Sequence, residues 1–122
     1  MKQDSKDDLT LREELLAADD LGGEEITVER WGKKIWVREL NGAERNELFE
    51  KSMERGKMVG EKLFVNAVIL CACDPETKKR IFAFEDAPAV SKKNGVSLDE
   101  IATVAYRLNG IGEYDVKEAE KN

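Results

Sequence analysis

The chain has no histidine, and only two cysteines and two prolines among its 122 residues. Without histidine it lacks the commonest general base and the commonest metal ligand. Catalysis would have to rest on paired carboxylates, an activated lysine or a bound cofactor. The two cysteines, Cys71 and Cys73, form a C-x-C pair inside an apolar run, without the second pair that a zinc site needs. Helix positions two apart point about 200° away from each other, so one helical face cannot offer both thiols. They read as two buried, reduced thiols. No apolar run reaches membrane-spanning length, and no N-terminal apolar stretch has the form of a signal peptide. A soluble, cytoplasmic setting without membrane contact is expected. Long basic runs are also missing. Lys33-Lys34 and Lys78-Lys79-Arg80 are short and sit where turns are expected, and the net charge is −6. A duplex would be repelled on average, so no nucleic-acid partner is expected.

What is present suits one small domain. Apolar residues make up 41% of the chain, enough for a core at this length without metals or cross-links. Charged residues reach 38%, which predicts a surface dense in mixed charge. Residues 1–8 read as a disordered tail, 9–112 as the folded domain and 113–122 as a charged, flexible end.

Within the domain the hydrophobic period changes from segment to segment. Leu11, Leu15 and Ala18 share a helical face, with Asp8 or Thr10 as the cap and Gly22-Gly23 beyond the end. Residues 26–31 and 35–40 alternate and predict a β-hairpin. Two registers compete. A two-residue Gly32-Lys33 turn sets Val28 opposite Val37, whereas a four-residue loop sets Trp31 opposite Trp36 and Glu29 opposite Arg38. Asn41-Gly42-Ala43-Glu44 has the form of a capping box. It opens a helix that carries Leu48, Phe49 and Met53 and weakens at Gly56 or Gly60. Residues 63–73 read as a buried core helix, ended by Asp74-Pro75. Asn66, its one polar residue, fixes packing register or faces a partner. Residues 81–84 form an apolar docking segment, and Pro88 starts a short helix that Asn94-Gly95 stops. Ser97-Leu98-Asp99-Glu100 reads as a capping box for a last helix with Leu98, Ile101, Ala105 and Leu108 on one face. The fold class is therefore α+β and mostly α-helical, one hairpin packed against about four helices.

Motifs with chemistry do not emerge. Gly22-Gly23 follows a helix and precedes a strand, the wrong order for cradling phosphate. Asp19-Asp20 and Glu24-Glu25 lack calcium-loop spacing and read as a solvated acidic turn. Ser5, Ser52, Ser91 and Ser97 have no histidine partner. Trp31 and Trp36 could stack a base, but more often such rings pack a hairpin onto its own helices. No catalytic residue, metal site or cofactor is expected, and the reading is of a protein that is not an enzyme.

The order of the pieces resembles a known family. A leader, Leu15-Leu16-Ala17-Ala18-Asp19-Asp20-Leu21, precedes Ile26-Thr27-Val28-Glu29-Arg30-Trp31-Gly32. Then come Ile35-Trp36-Val37-Arg38-Glu39-Leu40, Asn41-Gly42-Ala43-Glu44-Arg45 and, after residues 98–108, Asn109-Gly110-Ile111-Gly112. Across roughly residues 11–112 the chain resembles the tail assembly chaperones of long-tailed bacteriophages and prophages. That resemblance implies a helper of virion assembly, working in the host cytoplasm, that holds the long helical tape measure protein until tail tube subunits polymerise around it. In many members a programmed frameshift makes a longer product that also recruits tail tube protein. The resemblance thus implies the tape measure protein as partner, tail tube protein as a second one, and weak homo-oligomers along the client. Such a binder needs an apolar groove or helix face on an acidic exterior. The expected contact residues are Trp36, Phe49, Met53, Met58, Leu98, Ile101 and Tyr106, with core packing as the rival account of each. The alternative function is an acidic protein-protein interaction adaptor of another phage or bacterial pathway.

Overall fold

The computed structural model describes residues 10–112; the tails expected at 1–8 and 113–122 lie outside the described residues. The first helix, α1 (Leu11–Ala17), begins at Thr10, whose hydroxyl accepts the Glu13 amide at 3.1 Å while Glu13 Oε1 accepts the Thr10 amide at 3.0 Å. This reciprocal cap satisfies two of the amides a helix start leaves open. No α1 side chain is buried.

Strand β1 (Gly23–Val28) and strand β2 (Lys33–Arg38) form the expected hairpin, in neither expected register. Val28 pairs Lys33, Ile26 pairs Ile35 and Glu25 pairs Trp36. The reason is local. Glu29–Trp31 coils into a 3-10 turn closed by Gly32 at φ +63°, a left-handed conformation that glycine adopts without steric cost. Trp31 is thereby taken out of the strand and cannot face Trp36. Ile35 and Val37 point into the core, and Trp36 takes the opposite face.

Helix α2 (Gly42–Lys51) starts on the predicted Asn41/Glu44 box but ends before Met53. Met53–Glu54 (β3) and Lys57–Met58 (β4) make a tight ribbon instead, with Met53 opposite Met58. Its two central residues, Arg55 (φ +53°) and Gly56 (φ +78°), both lie in the left-handed region, the signature of a primed hairpin turn. The expected stripe of Leu48, Phe49 and Met53 on one helix is therefore corrected: Met53 leaves the helix.

Helix α3 (Gly60–Cys71) is the predicted core helix. Its residues 65–71 are all buried, so it is covered on every side. It stops at Cys71 and not at Asp74, because Ala72–Cys73 (β5) turns extended and pairs antiparallel with β2, giving sheet order β1-β2-β5. After a bridge from Cys73 to Arg80, Phe82 and Phe84 pack half-buried on the core. Helix α4 (Ala87–Val90) has Pro88 in its first turn, as expected. Helix α5 (Gly95–Leu108) is capped by Asn94 and not by Ser97. Asn94 Oδ1 accepts the Ser97 amide at 3.0 Å and its hydroxyl at 3.2 Å, so Ser97 lies inside the helix, buried, and the Ser97/Glu100 box does not form. At the far end Gly110 (φ +65°) lets the Ile111 amide reach back to Tyr106 O at 2.9 Å, a Schellman closure that buries Ile111. The architecture is a small α+β domain, mostly helical, with α3 between α2, α5 and the sheet.

Candidate partner-binding surface

Four polar residues of the 38–45 junction, Arg38, Glu39, Glu44 and Arg45, are half-buried and bonded to other elements or to the junction itself. Arg38 Nε donates to Leu70 O at 2.8 Å, while Nη1 and Nη2 each lie 3.1 Å from the two Glu44 oxygens. Burial alone would raise the Glu44 carboxyl; the Arg38 guanidinium and the Asn41 amide outweigh it and hold it below the usual range. Glu39 Oε1 accepts the Gly22 amide at 2.6 Å. Arg45 donates to the carbonyls of Asn109 (2.8 Å) and Gly110 (3.1 Å). The buried Asn109 side chain accepts the Leu40 amide at 2.6 Å and donates to Ala105 O at 2.9 Å and Arg38 O at 3.3 Å. These residues lock β2, α2, α3 and the end of α5 together. The buried Arg38 Nη2 stands in ion-pair contact with Glu44 Oε2 at 3.1 Å but makes no hydrogen bond.

The acidic cluster is likewise dispersed. Glu24 pairs with Arg107 at 2.9 Å, and Glu25 lies 3.9 Å from Lys34. Among the described residues no three potential metal-ligating side chains converge. Among the described residues the shifted carboxylates are Glu13 and Glu44, both lowered and both within helix caps. Both cysteines are free and buried. Burial pushes the Cys71 thiol up to about 12 and also raises Cys73.

The residues expected to touch a partner do not form one patch. Leu98 and Ile101 are 2% and 0% exposed and belong to the core, so they are removed from the contact set. They face α3 because the apolar stripe of α5 meets its nearest apolar neighbour there. Trp36 is half-buried, its ring lying flat over Gly23 with the Lys78 ammonium 4.0 Å above it. Phe49 is half-buried beneath the Arg45 guanidinium, 5.0 Å away, and Tyr106 is half-buried against the core. Met53 and Met58 are brought together across the β3–β4 ribbon, Met53 exposed and Met58 half-buried.

That ribbon borders an open groove of about 430 Å³, lined by Val59 and Val65, by Ala87 and Pro88, and by Asn66 on its floor, with Glu54, Glu61, Lys62 and Ser91 at the rim. Asn66 is oriented by its own bonds to Lys51 O and Ser52 Oγ, both 3.3 Å, which ties the end of α2 to α3. Lys62 and Glu54 close one side with an ion pair at 2.6 Å. An open apolar trough with a charged rim can hold aliphatic side chains of another polypeptide. The groove walls were missed in the sequence because Val59 and Pro88 are distant in the chain and meet only through α3 packing on α4. The available signal was Arg55-Gly56 flanked by two methionines. A second surface was also missed: Leu11, Leu15 and Leu16 on α1 are 69%, 65% and 70% exposed.

No family model matches the chain, and neither a curated protein nor a solved structure matches it. Among the described residues no helix is long and apolar enough to cross a membrane.

Proposed function

We propose that this chain is a tail assembly chaperone of a long-tailed phage or prophage, a non-enzymatic binder that holds the tape measure protein in the host cytoplasm during tail morphogenesis. Tail tube protein would be recruited through a longer frameshifted form. The observation that carries the reading is the Met53/Met58 ribbon beside the open groove: apolar side chains at a trough, on an acidic exterior of net charge −6. An amphipathic client helix presents aliphatic side chains at i, i+3, i+4 and i+7, and a groove of this kind accepts them in succession. Nucleophile, base and metal ligands play no part in such a role. The helical client would be kept soluble by covering its apolar stripe with many copies of a small acidic body.

The test is co-expression with a tape measure protein, the long helical client this reading requires. The reading predicts that the client moves from the insoluble to the soluble fraction and co-purifies with several copies of this chain. A client whose solubility is unchanged and that leaves the column alone would contradict it. Stable capture of an unrelated short protein, with no effect on the long helical one, would favour the adaptor function instead.

A further inference from the structure

Helix α1 is a formed helix that covers nothing. Its reciprocal cap holds it in shape, while Leu11 and Leu15, one turn apart, stand in solvent with Leu16 beside them. Glu14 borders this stripe on one side and Arg12 on the other, and Asp19 and Asp20 follow in the linker. Elsewhere the body carries an apolar recess of the opposite charge. Trp31 and Phe82 line a cleft of about 360 Å³ flanked by Lys33 and Lys93. It continues past Phe82 and Lys93 into a smaller hollow of about 170 Å³ walled by Ala89, Val90 and Asp86. Asp86, which accepts the Ala83 amide at 2.8 Å, is the one acid lining these two hollows, against the two lysines.

We infer that α1 docks its Leu11/Leu15 stripe into the Trp31–Phe82–Val90 recess of a second copy of this chain. Charge supports that occupant: Glu14 and the Asp19-Asp20 pair meet Lys33 and Lys93, and Arg12 meets Asp86. In the chain itself α1 stands off this recess: every α1 side chain is exposed and none lines either hollow, so the recess is open to the α1 of another copy. Donor helix and acceptor recess are different surfaces, so the contact is heterologous and each copy can both give and receive. One short helix buries little area, so the association is weak and concentration-dependent.

The proposal stands on the free chain, without any client. It is tested by sedimentation equilibrium of the full-length protein from about 10 µM to about 500 µM, the range in which contacts of this size act. The weight-average mass is expected to rise with concentration. Leu15→Glu and Lys93→Glu, both at exposed positions, each weaken association at least ~10-fold with an unchanged far-ultraviolet spectrum. Glu14→Lys combined with Lys93→Glu restores part of it. A monomer at every concentration overturns the proposal, including one whose α1 folds back on its own body. Association indifferent to Leu15→Glu also overturns it. Client capture is measured separately, so either result leaves the chaperone reading to its own test.

Discussion

The buried Asn109 side chain bonds Leu40, Arg38 and the Cys71 sulfur across the fold, and its loss should be felt accordingly. Asn109→Ala strands the buried Leu40 amide and frees the Arg38 carbonyl. A buried donor left unsatisfied costs about 1–3 kcal/mol, so urea unfolding should show a loss of about 2 kcal/mol. Cys71 gives a pH signature. Its folded value is near 12 against an ordinary 9.0, so below pH 9.0 the thiol is neutral in both states and its effect is nil. Above that, the unfolded chain releases a proton that the folded one keeps, and stability falls by about 1.4 kcal/mol per pH unit until the folded thiol ionises. Denaturation midpoints measured between neutral and strongly alkaline pH should show this fall, and Cys71→Ala should make it shallower, leaving the part that the raised Cys73 thiol contributes. Neither native thiol should react with DTNB, and both should react once the chain unfolds. At this scale the sequence was legible where chemistry is local. Buried thiols and the Asn41/Glu44 cap follow from a few neighbouring residues. Asn109 was not legible, because its partners lie 69 and 71 positions away.

Among the elements, β1–β2 depends on a close approach. A Cβ on Gly23 would sit 2.6 Å from the Trp36 ring, so Gly23→Ala must push the indole off the strand. We expect a destabilisation of about 1–3 kcal/mol with a red-shifted tryptophan emission. Helix α1 is the opposite case. Because it buries no residue, a chain truncated ahead of Asp20 should unfold, when dilute, at the same midpoint as the full chain. Equal melting curves from calorimetry would confirm this. Elements with a strong period were readable, notably α3 and the apolar face of α5. The hairpin register and the end of α2 were not. Both depend on left-handed residues, Gly32 and the Arg55-Gly56 pair, whose turn geometry shifts pairing by several positions. The Ser97 cap lost to Asn94 because Ser97 was needed inside the helix, where its hydroxyl bonds Asn94 and its body is buried.

For the whole molecule, Arg38, Glu44, Arg45 and Asn109 hold the elements together, while Met53, Met58 and the groove take no part in that network and are, under the proposed function, the surface offered to another polypeptide. Fold class was therefore accessible from patterning, while the site was not: Leu98 and Ile101 proved to be core, and Val65 and Pro88 became neighbours only on folding. The most direct measurement is titration of a helical tape measure fragment against the chain and its Met53→Asp variant, followed by calorimetry. The proposed function predicts saturable binding to the parent chain with a negative heat-capacity change, the mark of buried apolar surface. It predicts binding at least ~10-fold weaker to the variant, whose unfolding midpoint is unchanged. Equal affinity for both proteins, or no binding by either, would contradict it.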